Sequence, residues 1–210
     1  MPSPESGAGA HGRPPDFMDT RTNHNGHMTT LGMLARELGV DERTLRRAIT
    51  QGALRATRPS PRTLELSLSE RQYIRRSWPL LAALRRTLRT EPNVRFAALF
   101  GSAATGADSP TSDVDLLITL RESGLEHVVD LSTKLGAILG RPVDVVRLED
   151  AEADPSFLAD ALAEGRVVVD RDRVWPRLGE RAARLRRRGR NEQAERAESA
   201  LEGIDRLLAV

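Results

Sequence analysis

The sequence predicts an α/β (α+β) protein in which a mixed sheet with helices follows a small helical unit. Three observations predict it. Apolar, often β-branched runs at 94–100, 113–120, 142–148 and 167–169 alternate with segments of helical periodicity. A Gly101-Ser102 turn ends the first run, and Asp113-Val114-Asp115 opens the second. Upstream, two short amphipathic segments meet at Gly39-Val40, ahead of a candidate hairpin.

The elements follow in order. Residues 1–28 are rich in Gly, Pro, Ser, Asn and His and read as a disordered tail, with His11, His24 and His27 solvated. Met18 and Met28 are alternative starts. Thr30 caps a helix with Leu31, Leu34, Ala35 and Leu38 on one face, and Asp41 caps a second, 42–50, with Leu45, Ala48 and Ile49 inward. Residues 54–58 and 63–66, joined by Pro59-Ser60-Pro61, read as a hairpin. A helix runs from Ser69 to about Trp78. Pro79 fits a first turn but not a helix interior, so a new helix is expected over 79–89 with Leu81, Leu84 and Leu88 inward.

Strand 94–100, a glycine-containing loop and strand 113–120 come next. A helix over 124–139 should bury Val128, Leu131, Leu135 and Ile138. Strand 142–148, a helix over 156–164 and a short strand at 167–169 complete the sheet. The remainder, 173–209, is helical with a break near Gly189 and a stripe of Ala194, Ala197, Leu201, Ile204 and Leu208. Trp175 and Leu178 should dock this segment, while Tyr73 and Trp78 should be packing residues. The expected organisation is 1–28 tail, 29–77 N-terminal unit, 78–170 central domain and 171–210 helical extension.

Composition bounds the function. The 210 residues are 39% hydrophobic and 30% charged, enough for one ordinary domain or two small ones. No apolar run approaches the ~18 residues of a membrane span, and the start lacks a signal-peptide pattern. With no cysteine, disulfides and thiolate metal sites are excluded, which fits a cytoplasmic protein. Net charge is only +2 and Lys134 is the sole lysine, so overall charge says little about nucleic acid.

The chemistry lies in the acids. Strand alternation puts Asp113 and Asp115 on one face and Val114 on the other. A divalent cation compensates such a pair, and Mg²⁺ prefers carboxylates, phosphate oxygens and water. Nucleotidyl transfer commonly uses two ions about 3.5–4 Å apart. The candidate third carboxylate is Asp144, a lone acid in Val143-Asp144-Val145-Val146. Gly101 permits a sharp turn, and Ser102 with the following N–H groups can cradle phosphate.

These residues resemble the minimal nucleotidyltransferase branch of the DNA polymerase β nucleotidyltransferase superfamily over 95–170. The matching motifs are Leu99-Phe100-Gly101-Ser102, Ser112-Asp113-Val114-Asp115-Leu116, Val143-Asp144-Val145-Val146 and the closing Glu164-Gly165-Arg166-Val167-Val168-Val169-Asp170. The resemblance implies a polymerase-β-like fold and ATP as donor. Asp113, Asp115 and Asp144 would bind metal, two Mg²⁺ ions in all, and Asp144 would also take the acceptor proton. Gly101, Ser102 and Ser112 would bind the nucleotide. It further implies an antitoxin-type role, AMP transfer to a HEPN-domain toxin. One departure stands out: Thr105 occupies the place of the usual arginine in Ala104-Thr105-Gly106.

Residues 34–49 resemble a helix-turn-helix, with Ala35, Gly39 and Leu45 at the spacing that lets two helices cross closely. The hairpin then resembles the wing of winged-helix or MerR-like DNA-binding units. Arg43, Thr44, Arg46 and Arg47 would contact DNA, with Arg55, Arg58 and Arg62 on the wing adding phosphate contacts. The run Arg184–Arg190 is read as a solvated helix face. A homodimer suits this class of unit. Two alternatives remain open at this point: a regulator whose transferase fold only senses nucleotide, and a nucleotidyltransferase of a small molecule such as an aminoglycoside.

Overall fold

A computed structural model describes residues 30–60, 63–181 and Arg184. The expected tail, the distal stripe of Ala194 to Leu208 and most of the Arg184–Arg190 run lie outside the described residues. So do Pro61 and Arg62.

The first two helices form where their caps and apolar faces predict. In α1 (Leu31–Glu37) the Thr30 hydroxyl accepts from Met33 N, and in α2 (Glu42–Thr50) the Asp41 carboxylate accepts from Arg43 N. Leu34, Ala35, Leu45 and Ala48 are buried between them. β1 (Thr57–Ser60) and β2 (Thr63–Glu65) pair antiparallel.

The break expected at Pro79 does not occur. One helix, α3 (Leu68–Arg89), runs through it for 22 residues, across the expected 77/78 boundary. The proline removes the hydrogen bond that would reach the Arg75 carbonyl. Both residues are exposed, however, so water can serve that carbonyl. On the other side Tyr73, Ile74, Ser77, Trp78, Leu81, Leu84 and Leu88 form one unbroken buried stripe. Burial of that stripe outweighs the local penalty.

The sheet comprises β3 (Val94–Phe100), β4 (Val114–Leu120), β5 (Val143–Arg147) and β6 (Arg166–Asp170), in the order β5-β4-β3-β6. β3 is antiparallel to β4 and β6; β4 and β5 are parallel. The parallel pair needs a crossover, supplied by α5 (Leu125–Leu139). Between β3 and β4 lies the short α4 (Gly101–Thr105); α6 (Leu148–Ala151) and α7 (Pro155–Glu164) lead to β6.

Alternation divides the core into two layers. Ala97, Leu99, Val114, Leu116 and Ile118 pack with α3 and α5, whereas Phe96, Ala98 and Leu117 pack with α7 and the helical segment 174–181. Trp175 stacks on Phe96 at 6.3 Å between ring centroids, and Leu178 is buried, so this segment docks as its sequence suggests. Ile138, expected inward, is 52% exposed; Leu139 takes the position against the core.

The N-terminal elements are bound to the sheet unit. Val167 N donates to the Gly52 carbonyl at 3.1 Å, and Arg55 Nη2 donates to the Glu164 carbonyl at 2.6 Å. Arg75 on α3 pairs with Glu37 on α1 through bonds of 2.6 and 3.0 Å.

Candidate active site

The acids gather where β3 ends and β4 and β5 begin. Asp115 is in register with Asp144 on the neighbouring parallel strand and with Phe100 on β3. Parallel partners point to the same face, so these carboxylates are neighbours. Asp113 immediately precedes β4. Asp115 is half-buried, while Asp113 and Asp144 are exposed.

Burial pushes the Asp115 carboxyl above its ordinary value of 3.8, and the like charges of Asp144 and Asp113 push it further, against an opposing pull from Arg141. The three acids therefore share one electrostatic site. Among the described residues, no three His, Cys, Asp or Glu side chains converge tightly enough to hold a metal by themselves.

Gly101 is required by this arrangement twice over. Its φ is +66°, and a Cβ placed there would stand 2.5 Å from Asp115 Oδ2. The turn thus brings the backbone at the start of α4 directly against the central carboxylate. No side chain caps that helix start. Gly106 ends α4 in the left-handed region at φ +82°. Ser102 follows Gly101 and is half-buried.

The loop between α4 and β4 is held from within and from outside. The Ser112 hydroxyl accepts from Ser109 N at 2.9 Å, so it braces the turn ahead of Asp113. Thr105 is exposed and donates its hydroxyl to the Ser102 carbonyl at 3.0 Å; it brings no charge.

The cation beside the acids is Arg141, which sequence reasoning missed. Its Nε donates to the Ser112 carbonyl at 2.6 Å, its Nη2 to the Asp113 carbonyl at 3.2 Å, and its Nη1 pairs with Asp108 at 2.9 Å. Both side chains of that pair are 12% exposed. The available signal was its place just ahead of the strand that carries Asp144. Parallel pairing sets that point beside the Asp113 loop, with Val114 N donating to the Pro142 carbonyl at 3.0 Å.

Three further residues support the turn from below. The Tyr73 hydroxyl donates to the Ala103 carbonyl at 3.3 Å, and Arg166 Nε donates to the Ala104 carbonyl at 2.6 Å. Arg166 is in turn paired with Glu70. Burial and Glu70 raise the Tyr73 phenol, net of the opposing Arg166 charge, to about 12. It stays protonated and acts as a donor.

The residues proposed for DNA contact lie elsewhere. Arg43, Thr44, Arg46 and Arg47 are all exposed on α2, and Arg46 bonds Glu42 at 2.7 Å.

Residues 83–174 match the family described as polymerase beta, nucleotidyltransferase. No curated protein sequence matches the chain. Among solved structures, a chain from a toxin–antitoxin complex with AMP-PNP is 21% identical at a TM-score of 0.47, covering 59% of this chain and 97% of that one. A chain from the MntA–HepT toxin–antitoxin complex is 18% identical at a TM-score of 0.41, covering 61% and 96%. A chain from a tri-AMPylated Shewanella oneidensis HEPN toxin in complex with MNT antitoxin is 18% identical at a TM-score of 0.41, covering 63% and 98%. No described helix is long and apolar enough to cross a membrane. The segment that carries Gly101, Asp113, Asp115 and Asp144 is a nucleotidyltransferase domain of the polymerase beta family.

Proposed function

We propose that this chain is a metal-dependent nucleotidyltransferase that moves AMP from ATP to a hydroxyl acceptor, and that its N-terminal elements bind DNA. The observation that carries the transfer reading is the register of Asp115 with Asp144, placed against the backbone of Gly101.

The donor chemistry suits a hard cation whose shell is completed by phosphate oxygens and water. The donor set is all carboxylate oxygen, and Asp115 carries the repulsion of two like charges, which a divalent ion would relieve. Asp113, Asp115 and Asp144 would hold Mg²⁺, two ions by the resemblance, which when bound offsets the charge of the triphosphate. The Gly101-Ser102 backbone would receive phosphate oxygens, with Ser112 bracing the adjoining loop. The acceptor oxygen forms a bond to the α-phosphorus as the bond to pyrophosphate breaks. Asp144, exposed at the edge of the sheet, takes the hydroxyl proton.

A HEPN-domain toxin as the acceptor rests on the motif resemblance. DNA binding through Arg43, Thr44, Arg46 and Arg47 would suit autoregulation by such an antitoxin. The test is incubation of the full chain with α-labelled ATP and a HEPN-domain protein, with Mg²⁺ or with chelator. Labelled acceptor should appear only with metal, and not with Asp113→Ala/Asp115→Ala. Equal labelling by wild type and that variant would overturn the reading.

Thr105 favours a second reading. The residue bonds its own helix and contributes no charge toward a triphosphate. The domain would then sense nucleotide for a DNA-bound regulator. ATP binding without transfer to any acceptor would select it.

A further inference from the structure

We propose that the groove between α2 and α3 is an anion site for an oligophosphate of nucleotide size, separate from the acidic site. The groove encloses about 770 Å³, within the ~300–1,000 Å³ of small-molecule sites. One wall carries Arg43, Thr44 and Arg47 from α2; the other carries Arg85, Arg86 and Arg89 from α3. The acid among its described lining residues is Asp41, and that carboxylate is already committed to capping α2, accepting from Arg43 N at 2.6 Å.

Arg85 is the decisive residue. It is only 8% exposed. Its Nη2 donates to Gln51 Oε1, but its buried Nη1 has no hydrogen-bond partner. No carboxylate pairs with it among the described residues. A buried guanidinium left in that state is costly, and an anion would complete it. Burial, then the neighbouring Arg89 and Arg47 charges, bring its pKa down to about 10, so it is still charged at neutral pH. Several arginine forks around one hollow suit several phosphate groups. Trp78 and Ala82 give the same hollow an apolar wall. A guanidinium this deep is matched by a small ligand that enters the groove; a rigid duplex would have to deform to deliver a phosphate to it.

The test is calorimetric titration of the full chain with sodium tripolyphosphate, in chelator so that no metal bridges ligand to the acids. One saturable site is expected. Arg86→Gln/Arg89→Gln should weaken it by about tenfold or more, and Arg85→Met should abolish it. If Arg85→Met fails to fold by circular dichroism, the exposed Arg86/Arg89 variant decides. Absence of saturable binding, or affinity unchanged in the Arg86/Arg89 variant, overturns the proposal. Binding of duplex DNA that disappears in that variant, with no binding of tripolyphosphate, also overturns it and assigns the groove to DNA.

Discussion

Glu70 and Arg166 meet as a bidentate pair, with Oε1–Nη1 at 2.7 Å and Oε2–Nη2 at 3.0 Å, and their side chains are 6% and 4% exposed. The same pair reaches four places. Arg166 donates to the Ala104 and Ala53 carbonyls, its guanidinium lies 3.4 Å over the Tyr73 ring, and Glu70 accepts from Arg55 N. One ion pair therefore ties the N-terminal elements, α3, the α4 turn and β6 together. Glu70→Ala should destabilise the protein by about 3–5 kcal/mol, because it strands a buried guanidinium. Denaturant unfolding checks this. Glu70→Leu/Arg166→Met, which removes both charges, should cost less than Glu70→Ala alone.

Gly101→Ala should abolish transfer. The added methyl meets Asp115 Oδ2 in a backbone conformation that alanine resists by roughly 1–2 kcal/mol. Melting temperature and label transfer, measured together, should both fall. Retained transfer would show that the turn does not have to touch Asp115.

Arg141→Ala should lower kcat by roughly 10–100-fold while the fold survives. The arginine holds the loop leading to Asp113 by two carbonyls, and small misplacements of a reacting group are expensive. Arg141→Lys should rescue poorly, since one ammonium cannot span Ser112, Asp113 and Asp108 at once. Steady-state kinetics with separate kcat and KM values would decide.

Asp115 predicts a pH dependence of stability. Its folded pKa is raised, so the favourable contribution is complete below the ordinary value of 3.8 and is lost as pH rises through the folded value. At neutral pH without divalent metal, Asp115→Asn should therefore melt higher than wild type. The gap should close as pH is lowered toward 3.8. Thermal scans across pH, with and without Mg²⁺, test it; added Mg²⁺ should stabilise wild type and not the variant.

Binding of DNA by α2 should show as a salt-sensitive gel shift of the full chain. Arg46→Ala/Arg47→Ala should reduce the slope of log affinity against log salt by about 0.9 for each phosphate that is no longer neutralised. Arg46 already bonds Glu42, so Arg47 should account for more of the change. An unchanged slope would remove these residues from any DNA interface.

Local signals made much of this legible. The caps at Thr30 and Asp41 and the periodicities of α1, α2 and α5 placed helices to within a residue or two. The alternation of Asp113, Val114 and Asp115 predicts one shared face; the structure sets Asp115 in register with Asp144, with Asp113 just ahead of β4. What escaped notice is set by contacts distant in sequence. Nothing near Glu70 announces Arg166, 96 positions away. Arg141 reads as a turn residue until parallel pairing sets it beside Ser112 and Asp113. Pro79 misled for the same reason: its local cost is visible in the sequence, but the buried stripe that overrides it becomes visible only when the sheet packs against it. In α5, Leu131 and Leu135 are buried as expected and the last position differs, Leu139 packing against the core in place of Ile138.

The unbroken α3 has a practical consequence for how the protein can be taken apart. A cut at 77/78 would sever a helix whose two halves belong to one buried stripe, uncovering Tyr73 and Ile74 on one fragment and Trp78 and Leu81 on the other. What reads in the sequence as two modules joined at a proline shares one continuous helix, so activities are better assigned by substitution within the intact chain than by a cut at 77/78.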